Sequence, residues 1–334
     1  MRNPLTFRKR AKRDVVCLGR IGMDLNPEMF DAPMEDSASF VRSLGGSPGN
    51  IAVGCARLGL KTGFIGRLAP DAIGRYLRGI LKREGIDTGG VVMDDSGALT
   101  GLAFTEVKSP EQCGVVMYRE NAVDLKLCPA DISGKYIGDT RVLQISGTAL
   151  SRSPSREATL LAMELARRTG TRVVLDLDYR PYSWGGPQES ALYLALACSL
   201  SDVVIGNREE IDVMGAVYPE CRGTDAVAAR FLLQRGARIV IIKHGARGSV
   251  AFPAAGSPVK AGIFKIRARK TFGAGDAYAA GLIYGLLGGK DLKTCMELGS
   301  AGAALNVSGT DCSRAMATRE QLHTFIRERK GVRA

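Results

Sequence analysis

From residue 141 onward the chain alternates short apolar runs with longer stretches in which apolar residues recur every three or four positions. The runs 141–146, 172–177, 202–205 and 238–243 read as strands, and the intervening 154–169, 187–200 and 222–235 read as helices. Apolar strands that alternate with helices predict a parallel sheet covered on both faces, because such strands keep no polar side for water. Two more helices, near 291–306 and 317–329, finish the chain.

The first half has a different rhythm. A short apolar strand at 14–19 ends in glycine, another runs over 61–66, and a helix over 71–84 carries Ile73, Leu77, Ile80 and Leu81 at helical spacing. Residues 90–125 then hold three β-like runs (91–93, 99–107 and 113–118) with no helix of comparable length between them. Together with the proline-containing stretch 26–44, they predict a small antiparallel sheet inserted into the α/β body.

Composition narrows the functional classes. The 334 residues are enough for one large domain, and 45% of them are hydrophobic. Net charge is +12, but Arg2, Arg8, Lys9, Arg10, Lys12 and Arg13 fall in the first 13 residues, where there is no acid. Without them 40 basic residues face 34 acidic ones, so residues 1–13 are expected to be a disordered basic tail. The tail carries no known nucleic-acid-binding motif, so no nucleic-acid partner is expected. No run approaches the roughly 20 apolar residues of a membrane span, and no apolar segment of signal type follows the basic start. The eight cysteines are scattered without a Cys-x-x-Cys pair, which disfavours zinc chemistry and suits a cytoplasmic protein. With only His244 and His323, a Ser-His-Asp hydrolase is also disfavoured.

Candidate chemistry gathers at turns. Lys270-Thr271-Phe272-Gly273-Ala274-Gly275-Asp276 leads into a helix over 277–287. The N–H groups of Gly273, Ala274 and Gly275 lack intrahelical partners and lie at the positive end of the helix dipole, a ready phosphate site. Asp276 could cap the helix or remove a proton. A second turn, Gly45-Gly46-Ser47-Pro48-Gly49-Asn50, spends three glycines, a proline and an asparagine whose amide suits sugar hydroxyls. Asp24 lies just beyond a strand that ends in glycine, where ligands often bind. Asn207 and Glu210 share a helical face and could hold hydrated Mg²⁺ or cap the helix, with spacing favouring neither. Lys243 is followed by Gly245 and Gly248, a turn fit for a nucleotide. Arg180 suits a carboxylate or phosphate, or a surface ion pair.

In order and separation, the 45–50 and 271–276 turns, Asp24, Asn207-x-x-Glu210 and Gly245-x-x-Gly248 resemble the ribokinase-like, or PfkB, carbohydrate kinases over about residues 14–330. The resemblance implies a three-layer α/β/α fold with a mostly parallel central sheet and a small β-sheet lid, at about 26–44 and 90–125. It implies ATP and Mg²⁺, with Gly273–Gly275 as anion hole, Asp276 as base, and Asp24, Gly45, Gly46 and Asn50 on the sugar. Asn207, Glu210, Lys243, Gly245 and Gly248 would serve the nucleotide, with Glu210 meeting Mg²⁺ through water. A homodimer through the lid is also implied. Asp24-Leu25-Asn26 and the strings 101–106, 146–150, 153–157 and 178–184 are similar to members that phosphorylate C6 of a dehydro-deoxy sugar acid. Tyr118 and Arg119, with Arg180, are then candidates for the acid group, although Arg119 could instead pair with Glu120 or Asp124. The alternatives are 2-keto-3-deoxygluconate or fructose as acceptor, or a non-catalytic sugar or nucleotide sensor. Lys270 stands where many members carry an aspartate that helps bind a monovalent cation, and Gly309 weakens that match further. Lys270 is therefore expected to replace the ion.

Overall fold

A computed structural model describes residues 5–331. The strands, in chain order, are β1 Arg13–Leu18, β2 Gly22–Pro27, β3 Phe40–Gly45, β4 Thr62–Leu68, β5 Asp87–Met93, β6 Leu102–Ser109, β7 Gln112–Tyr118, β8 Thr140–Ser146, β9 Arg172–Asp176, β10 Val203–Asn207, β11 Ile239–Lys243, β12 Ser249–Pro253 and β13 Val259–Ala261. Nine form the main sheet in the order β13-β12-β11-β10-β9-β8-β1-β4-β5. All its pairs are parallel except β11/β12 and β12/β13.

Alternate residues of the inner strands face opposite layers, as the pleat requires. Val15 and Cys17 pack in one core with the helices Ser47–Arg57, Ala274–Leu287 and Leu292–Val307. Val16 and Leu18 pack in the other with Ser155–Thr169, Pro187–Ser199 and Asp225–Gln234. This is the expected three-layer architecture. The last of these helices begins later than the 222 anticipated, because Thr224 caps it by accepting from Val227 N.

The small sheet has the order β3-β2-β6-β7 and differs from expectation in three ways. Its β2/β6 pair is parallel, although β2/β3 and β6/β7 are antiparallel. Residues 91–93, expected in the lid, belong to β5, which pairs with β4 as an edge of the main sheet after the helix Ala72–Arg83 crosses between them. A short apolar run satisfies either sheet, and the crossover helix decides between them. The lid also begins earlier, at Gly22.

Nor are residues 5–13 a free tail. Leu5 is buried in the core, Arg172 Nε donates to Thr6 O at 3.0 Å, and Arg8 donates to Gly138 O. Arg13 opens β1, pairs with Asp87 at 2.6 Å and stacks on Tyr136. Apolar Leu5 and Phe7 between the charges supply this anchorage. Residues 1–4 lie outside the described residues. Among the described residues no helix is long and apolar enough to cross a membrane.

Candidate active site

The carboxyl ends of β1, β9, β10 and β11 open onto one edge of the main sheet, facing the lid. The helix Ala274–Leu287 starts there. Its first residue is preceded by Gly273 with φ 83°, in the left-handed region. A Cβ on Gly273 would lie 2.7 Å from Asn306 Oδ1 and 2.9 Å from Cys312 Sγ, so backbone and space both demand glycine. Asp276, three residues on, does not cap the helix. Its Oδ2 instead accepts a hydrogen bond from Asn50 Nδ2 at 2.8 Å. Burial, then repulsion from Asp178, raises the Asp276 pKa to about 6, against the hydrogen bonds from Asn50 and Ser47.

Asn50 is delivered by the glycine turn. Gly46 has φ 93°, and a Cβ on it would stand 2.5 Å from Arg20 O; a Cβ on Gly45 would collide with the Asp24 carboxylate. The turn is therefore cut to fit Asp24, which is 6% exposed. Burial raises Asp24 to a pKa of about 6, opposed by the positive charge of Arg20. Asp24 Oδ1 and Asn50 Oδ1 are buried acceptors without a hydrogen-bond partner among the described residues. Orphaned acceptors on the lining of one cleft fit a polyhydroxylated ligand, whose O–H groups would satisfy them.

Across the cleft, Lys243 Nζ lies 3.4 Å from Asp176 Oδ1. Burial raises the Asp176 pKa to about 7, opposed by Lys243 and helped by Glu210. Burial works against the Lys243 ammonium, but Asp176 and Glu210 outweigh it and push its pKa up. Asn207 and Glu210 cap the helix Arg208–Asp212 reciprocally: Glu210 N donates to Asn207 Oδ1 at 2.8 Å, and Asn207 N donates to Glu210 Oε2 at 2.7 Å. Both residues line the cleft as well.

The cleft has a volume of about 570 Å³ and runs under the lid from Asp24 and Asn50 to Asp276 and Lys243. A second recess of about 630 Å³ adjoins it, lined by Gly248, Phe264, Ile266, Tyr278, Ala304 and Val307 among others. Lys243, Gly245, Thr271 and Gly275 border both. A polar chamber thus meets an apolar slot at the glycine turn of residues 273–275. Gly245 and Gly248 both have positive φ, at 57° and 88°.

Three expected contacts for an acid group sit differently. Tyr118 is 62% exposed and packs edge-on against Phe104 on the outer face of the lid, away from the cleft. Arg119 does border the cleft, but its charge is matched by Asp124 at 2.6 Å, and Nη2 also donates to Thr148 O at 3.0 Å. Arg180 borders the cleft and pairs with Asp178 at 2.8 Å, the chief cause of its raised pKa. Lys270 is fully buried. Its ammonium donates to Phe272 O at 2.8 Å, Asn306 Oδ1 at 2.9 Å and Asn306 O at 3.1 Å, and burial pulls its pKa down. Sequence reasoning missed Arg20, Asp176 and Asp178 in the cleft. Arg20 carries the same signal that marked Asp24, a charged residue just past a strand that ends in glycine.

Comparison with known proteins agrees with this geometry. The sequence pattern of pfkB family carbohydrate kinases matches residues 12–319. A Bacillus anthracis protein named 5-dehydro-2-deoxygluconokinase is 47% identical over 324 residues, covering 97% of this chain and 98% of that one. A Geobacillus kaustophilus protein of the same name is 49% identical over 326 residues, covering 98% and 97%. Among solved structures, a PfkB protein from Polaromonas sp. JS666 has a TM-score of 0.81 and 30% identity, covering 93% of this chain and 99% of its own. Fructokinase with bound ATP from Xylella fastidiosa has a TM-score of 0.85 over 96% and 99%; at 23% identity it speaks for the fold alone.

Proposed function

This chain belongs to the pfkB family of carbohydrate kinases, and from that membership we propose that it moves the terminal phosphoryl group of ATP onto the C6 hydroxyl of 5-dehydro-2-deoxy-D-gluconate, a step of inositol breakdown. The observation that carries the reading is the position of Asp276 beside the turn where polar cleft and apolar recess meet. Near-half identity with relatives of that name, along almost the whole chain, narrows the acceptor.

In this reading the sugar lies in the cleft, with Asp24, Asn50 and the Gly45-Gly46 backbone on its hydroxyls. Asp276 receives the proton of the C6 hydroxyl while Asn50 holds the other carboxylate oxygen. The N–H groups of Gly273, Ala274 and Gly275 take the charge that builds on the phosphoryl oxygens, a service that preorganised donors perform without reorganising. Lys243 offers an ammonium at the junction, and the recess beyond Gly245 and Gly248 takes the base. Glu210 spends Oε2 on Asn207 N, which leaves Oε1 for a magnesium-bound water, and this hard oxygen donor suits the ion. Magnesium would neutralise charge on the ATP phosphates. The lid, by covering the cleft, would exclude water as a competing acceptor. Its outer face, with Val116 44% and Tyr118 62% exposed, is the surface we assign to a homodimer. The eight cysteines are all unpaired, which suits work in the reducing cytoplasm.

The test is an ADP-release assay over 5-dehydro-2-deoxygluconate, 2-keto-3-deoxygluconate, fructose and ribose. The first is expected to show the highest kcat/KM. Faster turnover of fructose than of either acid would remove the sugar-acid reading.

A further inference from the structure

A sugar acid brings a carboxylate into a cleft already rich in acids, so one cation there must be free to meet it. Among the described residues the cleft is bordered by four: Arg20, Arg119, Arg180 and Lys243. Three are committed, Arg119 to Asp124, Arg180 to Asp178 and Lys243 to Asp176. Arg20 differs. It has no ion pair among the described residues, and its one hydrogen bond runs from Nη1 to the Met117 thioether at 3.6 Å. Sulfur of this kind is a weak acceptor, so five N–H donors are left almost unused on a half-buried guanidinium.

Arg20 is held in place from both sides. It follows Gly19 at the end of β1, and its carbonyl abuts Gly46 in the sugar turn. Its Nη1 would lie 3.2 Å from a Cβ on Gly22, so the bare glycine at the start of β2 leaves the guanidinium its room. Met117, which it touches, is on the lid strand β7. The guanidinium therefore spans body and lid at the mouth of β2. Its charge acts on Asp24, whereas that of Arg180 acts on Asp276. The C6 hydroxyl must approach Asp276 on the helix Ala274–Leu287, whereas the guanidinium reaches to Met117 on the lid, so a carboxylate carried at the other end of the substrate can meet Arg20 there.

We propose that Arg20 receives the carboxylate of the acceptor and thereby sets the preference for acids over neutral sugars. This rests on the sugar-acid reading above. The planar fork matches two carboxylate oxygens, while Asp24 beside it takes neighbouring hydroxyls. Arg119, neutralised by Asp124, shapes the wall of the cleft instead.

The test compares the sugar acid with its uncharged carboxamide in the wild-type enzyme, Arg20→Gln and Arg20→Lys, with ADP binding by calorimetry to check that each variant is folded. Loss of a charge-assisted pair is expected to lower kcat/KM for the acid by about 10- to 100-fold in Arg20→Gln, mainly through KM. The carboxamide should change by less than about threefold, and Arg20→Lys should recover part of the loss. An equal fall for acid and carboxamide would mark Arg20 as merely structural and overturn the proposal. A wild-type enzyme indifferent to the two substrates overturns the sugar-acid reading and Arg20 with it. A wild-type preference for the acid that persists in Arg20→Gln overturns Arg20 alone.

Discussion

Asn50 Nδ2 donates to Asp276 Oδ2 across 2.8 Å, joining two glycine turns that lie 226 positions apart in the chain. The bond fixes the carboxylate in the cleft through its Oδ2. Asp276 does not cap the helix, whose N-cap position is Gly273.

Asp276→Asn is expected to lower kcat by about 10²- to 10⁴-fold, with ADP affinity close to wild type. Because the pKa of Asp276 is raised to about 6, the group is protonated and idle below that pH and becomes a base above it. Wild-type kcat/KM should therefore climb as pH rises through about 6. Near-wild-type turnover in the variant would strike Asp276 from the mechanism.

Asp24 is a buried carboxylate kept for ligand binding at the expense of stability. Its folded pKa of about 6 exceeds the usual carboxylate value near 3.8. The unfolded chain thus releases this proton first, and the penalty is absent below about pH 4, grows through the window and is complete above about pH 6. Asp24→Asn should stabilise the ligand-free protein at pH 8 by about 1–3 kcal/mol while raising KM for the sugar. Thermal melts at pH 8 and pH 4 check this, because the gain should vanish at the lower pH. A gain of equal size at both would mean that ionisation is not its source.

Lys270 donates all three ammonium protons to oxygens around the phosphate turn. A fixed cation of this kind leaves a monovalent ion no vacancy to fill. Turnover should be the same in potassium, sodium and choline chloride at matched ionic strength. A strong rise in potassium alone would sink the idea. Lys270→Met should lower turnover by about tenfold or more, since the Phe272 and Asn306 carbonyls lose their donor.

The outer face of the lid provides the last prediction. Sedimentation equilibrium should give the mass of a dimer, and Tyr118→Asp together with Val116→Asp should shift it to monomer. A wild-type protein that sediments as a monomer at micromolar concentration would end this assignment.

Much of this was legible in the chain because it depends on near neighbours. Apolar runs such as 172–176 become parallel strands since both their faces are covered, and that demand is written in consecutive residues. The positions of Gly46 and Gly273 were legible because only glycine takes a left-handed conformation there without strain. The pairing of Asn207 with Glu210 needs only one helical turn, although the spacing left open whether it was a cap.

What escaped the sequence depends on contacts made through space. Residues 91–93 read as lid and joined the main sheet, because strand pairing is decided by where the preceding helix returns the chain. Tyr118 ends β7 outside the cleft, Arg119 follows the strand and borders the cleft, and the pairing of Arg119 with Asp124 removed its free charge. The sequence by itself determined the layered fold, the two glycine turns and the acids beside them, all set by local backbone chemistry. Only the tertiary structure decided which cations remained unpaired, that Lys270 is buried among carbonyls, and that Asp276 faces Asn50, because charge pairing and burial exist only once distant segments have met.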